Sequence, residues 1–192
     1  ADGTIFEVST QEALENVLAR AQDGDTVRLV DDIAIVVTDT GADELAPMLY
    51  ISSDITLDLN QNELGFDQTN LGVSLKCTPC LIFVNGADVI ITGNGAIDAE
   101  AQNNNAYGIN IVNDGSLTVE NGDFYGAITA IQVEQGKLNI YGGKFQFAET
   151  AAASAPDAYK KYIINIIDSS FKDGSAAIGI TGGTFVGFDP SN

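Results

Sequence analysis

Five stretches of the chain share one pattern of apolar and polar positions. They are "LDLNQNELGF" from Leu57, "VIITGNGAIDA" from Val89, "LTVENGDFYG" from Leu117, "LNIYGGKFQF" from Leu138 and "IGITGGTFVGF" from Ile178. Each reads apolar-x-apolar, then a polar or Gly-rich corner, then another apolar residue. Alternation with period two marks a half-buried strand. The Asn-Gly, Gly-Gly and Gly-Asn corners supply residues that tolerate the positive φ of a sharp bend. A second apolar run precedes each stretch: "MLYI" at Met48–Ile51, "LIFV" at Leu81–Val84, "YGINIV" at Tyr107–Val112, "AIQV" at Ala130–Val133 and "YIINII" at Tyr162–Ile167. The predicted unit is therefore strand, short corner, strand, Gly corner, short strand.

The five starts are unequally spaced, the tightest interval being the 21 residues from Leu117 to Leu138. That length suits a stacked solenoid repeat, with loops taking up the surplus elsewhere. The surplus falls in residues 67–76, 100–106 and 148–161, all polar, small or Ala-rich, as surface insertions are. In a stacked coil, equivalent positions lie about 4.8 Å apart. Phe124, Phe145 and Phe185 are then expected to form an internal aromatic stack, continued by Leu64 and Ile97. The recurring "GGKF", "GGTF" and "NGDF" phrases read as core rather than chemistry.

The front of the chain differs. In "STQEALENVLARAQDGDTVRLV", Ser9 and Glu12 have capping-box spacing, and Ala13, Leu14, Val17, Leu18 and Ala21 recur at helical intervals. The pattern predicts an amphipathic helix ending at Gly24, followed by a strand over Thr26–Val30. A helix here would cover the otherwise open hydrophobic end of the first coil. The expected layout is one domain over residues 1–192. Residues 1–33 form the cap helix and first strand, and residues 34–192 form the coils. Past Phe188 only "DPSN" remains, so the far end is expected to need cover from another segment, an insertion or a neighbouring subunit.

With "DGDTVRLV" after the helix and "ITGNGAIDA" at Ile91–Ala99, the sequence resembles the right-handed parallel β-helices of the pectin-lyase-like superfamily. That resemblance implies an all-β fold: a right-handed parallel β-helix with an N-terminal capping α-helix. It does not by itself assign an activity. Hydrolases of this superfamily use clustered Asp residues with Gly-His-Gly and Arg-x-Lys motifs, and its lyases use a basic residue beside an Asp-lined calcium site. This chain has no His, and its two Arg, Arg20 and Arg28, both lie near the cap. Lys137 and Lys144 occupy well-patterned rungs, but the repeat ties no acidic cluster to either. The final "ITGGTFVGFDPSN" resembles terminal rungs of β-helical proteins from phage virions and gut-bacterial cell surfaces.

Charge narrows the partners. The 27 acids and eight bases give a formal charge of −19, which repels phosphate backbones and anionic membranes. Neither nucleic acid nor a membrane is an expected partner. No apolar run approaches membrane-spanning length, and no signal peptide is visible. Without His, every Ser-His-Asp arrangement is excluded.

The remaining chemistry is carboxylate and thiol. Asp31 with Asp32, Asp58 with Glu63, and Asp98 with Glu100 are the neighbouring acid pairs. In so acidic a chain they read first as solvated surface, and second as catalytic pairs or oxygen ligands. Asp31, Asp32, Asp58 and Glu63 are the candidate ligands for calcium, the one cofactor to consider. Cys77 and Cys80, in "CTPC", read as a structural pair: a short local staple or partly buried thiols. A redox couple would need a βαβ setting that the pattern lacks. "AQNNNAYG" (101–108) offers amides and a Tyr to a sugar, or is simply a polar loop. Lys160-Lys161 could meet an acidic partner, or be a solvated turn.

The sequence thus points to a non-catalytic structural or binding rod. The setting expected is a phage virion surface, as a head fibre, capsid decoration or tail-associated protein, self-associating as a homotrimer. The competing reading is a bacterial cell-surface or extracellular adhesin that binds glycan. A polysaccharide hydrolase or lyase comes after both.

Overall fold

The computed structural model describes residues 3–69, 75–100, 106–147 and 162–191. Strand β1 (Ile5–Val8) leads into helix α1 (Gln11–Leu18). The chain then runs through successive triplets of strands. The first is β2 (Thr26–Leu29), β3 (Ile33–Ile35) and β4 (Leu45–Ile51), and the second is β5 (Thr56–Asp58), β6 (Glu63–Phe66) and β7 (Thr78–Asn85). Next come β8 (Asp88–Thr92), β9 (Ala96–Ala99) and β10 (Tyr107–Val112), then β11 (Gly115–Val119), β12 (Asp123–Gly126) and β13 (Thr129–Val133). The last full triplet is β14 (Gly136–Ile140), β15 (Lys144–Phe147) and β16 (Ile164–Ile166). Helix α2 (Asp168–Asp173), β17 (Ala176–Ile180) and β18 (Thr184–Phe185) follow.

From β2 onward, strands three apart in sequence pair in parallel, β1 pairs with β2, and three sheets result. Their orders are β1-β2-β5-β8-β11-β14-β17, β3-β6-β9-β12-β15-β18 and β4-β7-β10-β13-β16. The fold is mostly β, with stacked parallel sheets, as a solenoid requires.

Alternation along each strand sends one face inward, and the register stacks like on like. In the second sheet Ile33, Leu64, Ile97, Phe124, Phe145 and Phe185 fall in line. The Phe124 and Phe145 rings stack with centroids 4.9 Å apart, and Phe145 and Phe185 with centroids 5.0 Å apart. In the third sheet, Leu49, Ile82, Ile109, Ile131 and Ile164 do the same. Apart from the partly buried Phe185, both rows are buried.

Three expectations need correcting. In the first sheet Leu117 lies between Val89 and Leu138, and Leu138 faces Ile178, but Leu57 pairs with Ile91 rather than Val89. A slip of two keeps the same face inward, so the apolar pattern alone does not reveal it. At α1 the N-cap is Thr10, whose side chain accepts from Ala13 N, and not Ser9. The helix also stops at Ala19, well before Gly24. Its buried Leu14 and Val17 join the core at the start of the stack.

The corners are uneven. From the first sheet to the second they are short and uniform, as at residues 59–62, 93–95, 120–122 and 141–143. From the second to the third they vary widely. Residues 127–128 suffice between β12 and β13, whereas the insertions expected from sequence fall between β6 and β7, β9 and β10, and β15 and β16. Residues 70–74 of the first insertion, 101–105 of the second and the whole of the third lie outside the described residues.

Candidate functional site

Many acids are used by the backbone. Asp23 Oδ1 accepts from Asp54 N at 3.1 Å, and Asp54 Oδ1 accepts from Asp88 N at 2.8 Å, one rung holding the next. Asp25 accepts from the N–H groups of Thr4 and Gln22. Asp39 accepts from Gly41, Lys76 and Cys77, and these bonds hold its carboxyl below the usual range. A carboxylate that takes backbone N–H bonds in this way fixes a corner.

The four candidate calcium ligands do not converge. Asp31 accepts from Asp32 N, and Asp32 accepts from Glu63 N at 2.8 Å, which joins β6 to the preceding corner. Asp58 lies in the first sheet instead, where it accepts from Arg28 Nε at 2.8 Å and from Asn60 N. Among the described residues no three acidic or thiol side chains gather in a way that could hold a metal ion.

A second carboxylate group is better assembled. Glu63 and Asp98 project from the outer face of the second sheet on neighbouring strands, with Gly65 and Asp98 in register. Partial burial raises Glu63 above the usual carboxylate range, reinforced by Asp98, Asp32 and Glu100. Burial also raises Asp98, against the bond it accepts from Glu100 N, with Glu100 adding repulsion. Asp98 is half-buried, whereas Glu63 is exposed as a whole residue with only its carboxyl partly covered. Tyr125, in register with Asp98 on β12, is pushed up by burial and by Asp123 and Asp98. Beside this face runs an open polar groove of about 430 Å3 lined by Asp32, Asn62, Glu63, Asn94, Asn121 and Asp123. The sequence pairs Asp98 with Glu100; it does not bring Asp98 to Glu63, because that neighbourhood depends on the register between rungs.

The third sheet carries an amide ladder on its outer face. Gln132 Nε2 donates to Asn110 Oδ1, Asn165 Nδ2 to Gln132 Oε1, and Asn110 Nδ2 to Glu134 Oε2. Asn110 and Gln132 are buried. The same row continues to Phe83 and Tyr50, whose rings meet edge to face at 5.9 Å.

Cys77 and Cys80 are both buried and both free, so of the two structural readings the structure has the buried thiols and not the staple. Cys80 Sγ donates to Ile82 O at 3.4 Å, and burial raises its thiol far above the ordinary range. A group held protonated in this way is structural rather than nucleophilic.

At the far end of the described stack, Ile164, Ile166, Phe171, Ile178, Ile180 and Phe188, together with Asn165 and Asp168, line a half-open pocket of about 520 Å3. Phe171, on α2, is 64% exposed. Residues 101–105 of "AQNNNAYG" and the Lys160-Lys161 pair lie outside the described residues.

In comparisons with family models, with curated proteins and with solved structures, the chain finds no significant match.

Proposed function

We propose that the chain is a non-catalytic, self-associating structural rod: a right-handed parallel β-helix of the pectin-lyase-like kind, displayed on a virion surface. The observation that carries the structural reading is the use made of the acids. Asp23, Asp25, Asp32, Asp39 and Asp54 hold backbone N–H groups of their own or neighbouring rungs. Right-handed winding follows the hand that nearly all parallel crossovers take. Self-association is supported by the partly apolar pocket at the end of the stack, where Phe171 is exposed. Virion placement and a trimeric state rest on the likeness of the last rungs to phage β-helices. Light scattering behind size exclusion, over a range of concentrations, tests the reading. A stable trimer supports it, and a monomer at every concentration overturns it.

One observation favours a second reading, glycan processing or binding. Glu63 and Asp98 share an outer face beside a polar groove, as a carboxylate pair for glycan chemistry would, and both are raised above the usual carboxylate range. New reducing ends from acidic polysaccharides, lost on Asp98→Asn, would establish that reading in place of the first.

A further inference from the structure

Three Asn-Gly dipeptides occur at corners: Asn85-Gly86, Asn94-Gly95 and Asn121-Gly122. In such a pair the glycine nitrogen lies one five-membered ring closure from the asparagine Cγ, and no side chain hinders that closure. The fold treats the three differently. Asn85 Nδ2 donates to Ser52 Oγ, Asn85 Oδ1 accepts from Asn113 Nδ2, and Gly86 N donates to Val112 O. Asn121 Oδ1 accepts from Gly122 N, and Asn121 Nδ2 donates to Asn94 Oδ1. At both sites the attacking nitrogen and the leaving amide are already engaged.

Asn94 is different. Its Oδ1 accepts from Asn121 Nδ2 at 2.6 Å, while neither its own Nδ2 nor Gly95 N donates to any described residue. The side chain is exposed and lines the polar groove with Asp32, Glu63 and Asp123.

We propose that Asn94 is a self-modification site, converted through a succinimide to aspartate or isoaspartate. Gly95 N loses its proton to hydroxide or a groove carboxylate and bonds to Asn94 Cγ. The Cγ–Nδ2 bond then breaks, and the amide nitrogen takes up a proton and leaves as ammonia. Water opens the ring at either carbonyl, so the balance needs nothing but water. As the nitrogen attacks, negative charge builds on Asn94 Oδ1, where the Asn121 amide already donates. The product carries a new negative charge into a groove that already holds three carboxylates. Isoaspartate would also lengthen the main chain at a corner where a Cβ on Gly95 already overlaps Asn62 O and Leu59 Cβ.

Peptide mass mapping after incubation of the whole protein in mildly alkaline buffer tests this, with the urea-unfolded chain as reference. In the folded protein, the one-dalton gain at Asn94 is expected about tenfold faster than at Asn85 or Asn121, with similar rates at all three in urea. Asn94 reacting no faster than the other two in the folded protein would overturn the proposal. Asn121→Asp removes the donor, leaving the urea rate at Asn94 unchanged and slowing the folded rate. An unchanged folded rate would overturn the assisted step.

Discussion

Phe145→Ala is the most direct probe of the stack. Phe145 is fully buried, and its ring lies between those of Phe124 and Phe185, tilted by only 14° and 13° from each. Returning such a side chain to water costs about 1.5–3 kcal/mol. The ring also leaves a hole, and each unrelaxed Å3 adds roughly 24 cal/mol. The hole closes poorly here. Phe124 and Phe185 sit on β12 and β18, whose spacing from β15 is set by backbone hydrogen bonds that alanine leaves intact. The two terms together give a loss of about 3–5 kcal/mol. Urea unfolding followed by circular dichroism measures it, with an unchanged m-value showing that the same surface is exposed. Phe185→Ala, at a partly buried position on β18, is expected to cost about half as much. A loss below about 1 kcal/mol at Phe145 would refute the inward placement, because no buried Phe is removed so cheaply.

Other changes test other links. Gly136 has φ of 130°, and a Cβ there would overlap Gly115 O of the rung before, so Gly136→Ala is expected to leave little folded protein by circular dichroism. Thr10→Ala removes the helix cap and should cost about 1 kcal/mol in urea, while Ser9→Ala costs almost nothing. Glu63 and Asp98 have raised pKa values, so the folded state binds more protons than the unfolded state above the ordinary carboxylate range. Their contribution to stability therefore falls as pH rises from that range through their folded pKa values. Glu63→Gln with Asp98→Asn should flatten that fall in unfolding curves run from acidic to neutral pH; an unchanged slope would refute it. Cys77 and Cys80 should react with a thiol reagent only as fast as the protein opens, and faster labelling would contradict their burial.

The strands were most legible where apolar and polar positions alternate and a corner with Gly or Asn follows, as at Leu117–Val119 and Leu138–Ile140. "YGINIV" coincides with β10. What the pattern could not supply was pairing. Leu57 against Ile91 instead of Val89 is invisible to a period of two. The helix cap was off by one residue because Ser9 and Thr10 are adjacent and chemically alike. Strand β1 and the six-residue α2 had no repeat to announce them. The part that several acids play as acceptors between rungs was not legible either. Asp54 and Asp88 are far apart in sequence, and only the stacked fold places one carboxylate on the other's N–H. Glu63 and Asp98 meet for the same reason.

The uneven corners between the second and third sheets bear on how such a chain can diversify. Since β12 and β13 are joined by residues 127–128 alone while their neighbours are joined by far longer segments, the register of the strands does not depend on the length of the connection. Residues can be gained or lost there without moving a core side chain, and the entropic cost of a longer loop rises only slowly. This edge is the natural place to graft a foreign peptide. The short corners between the first and second sheets would reject the same graft.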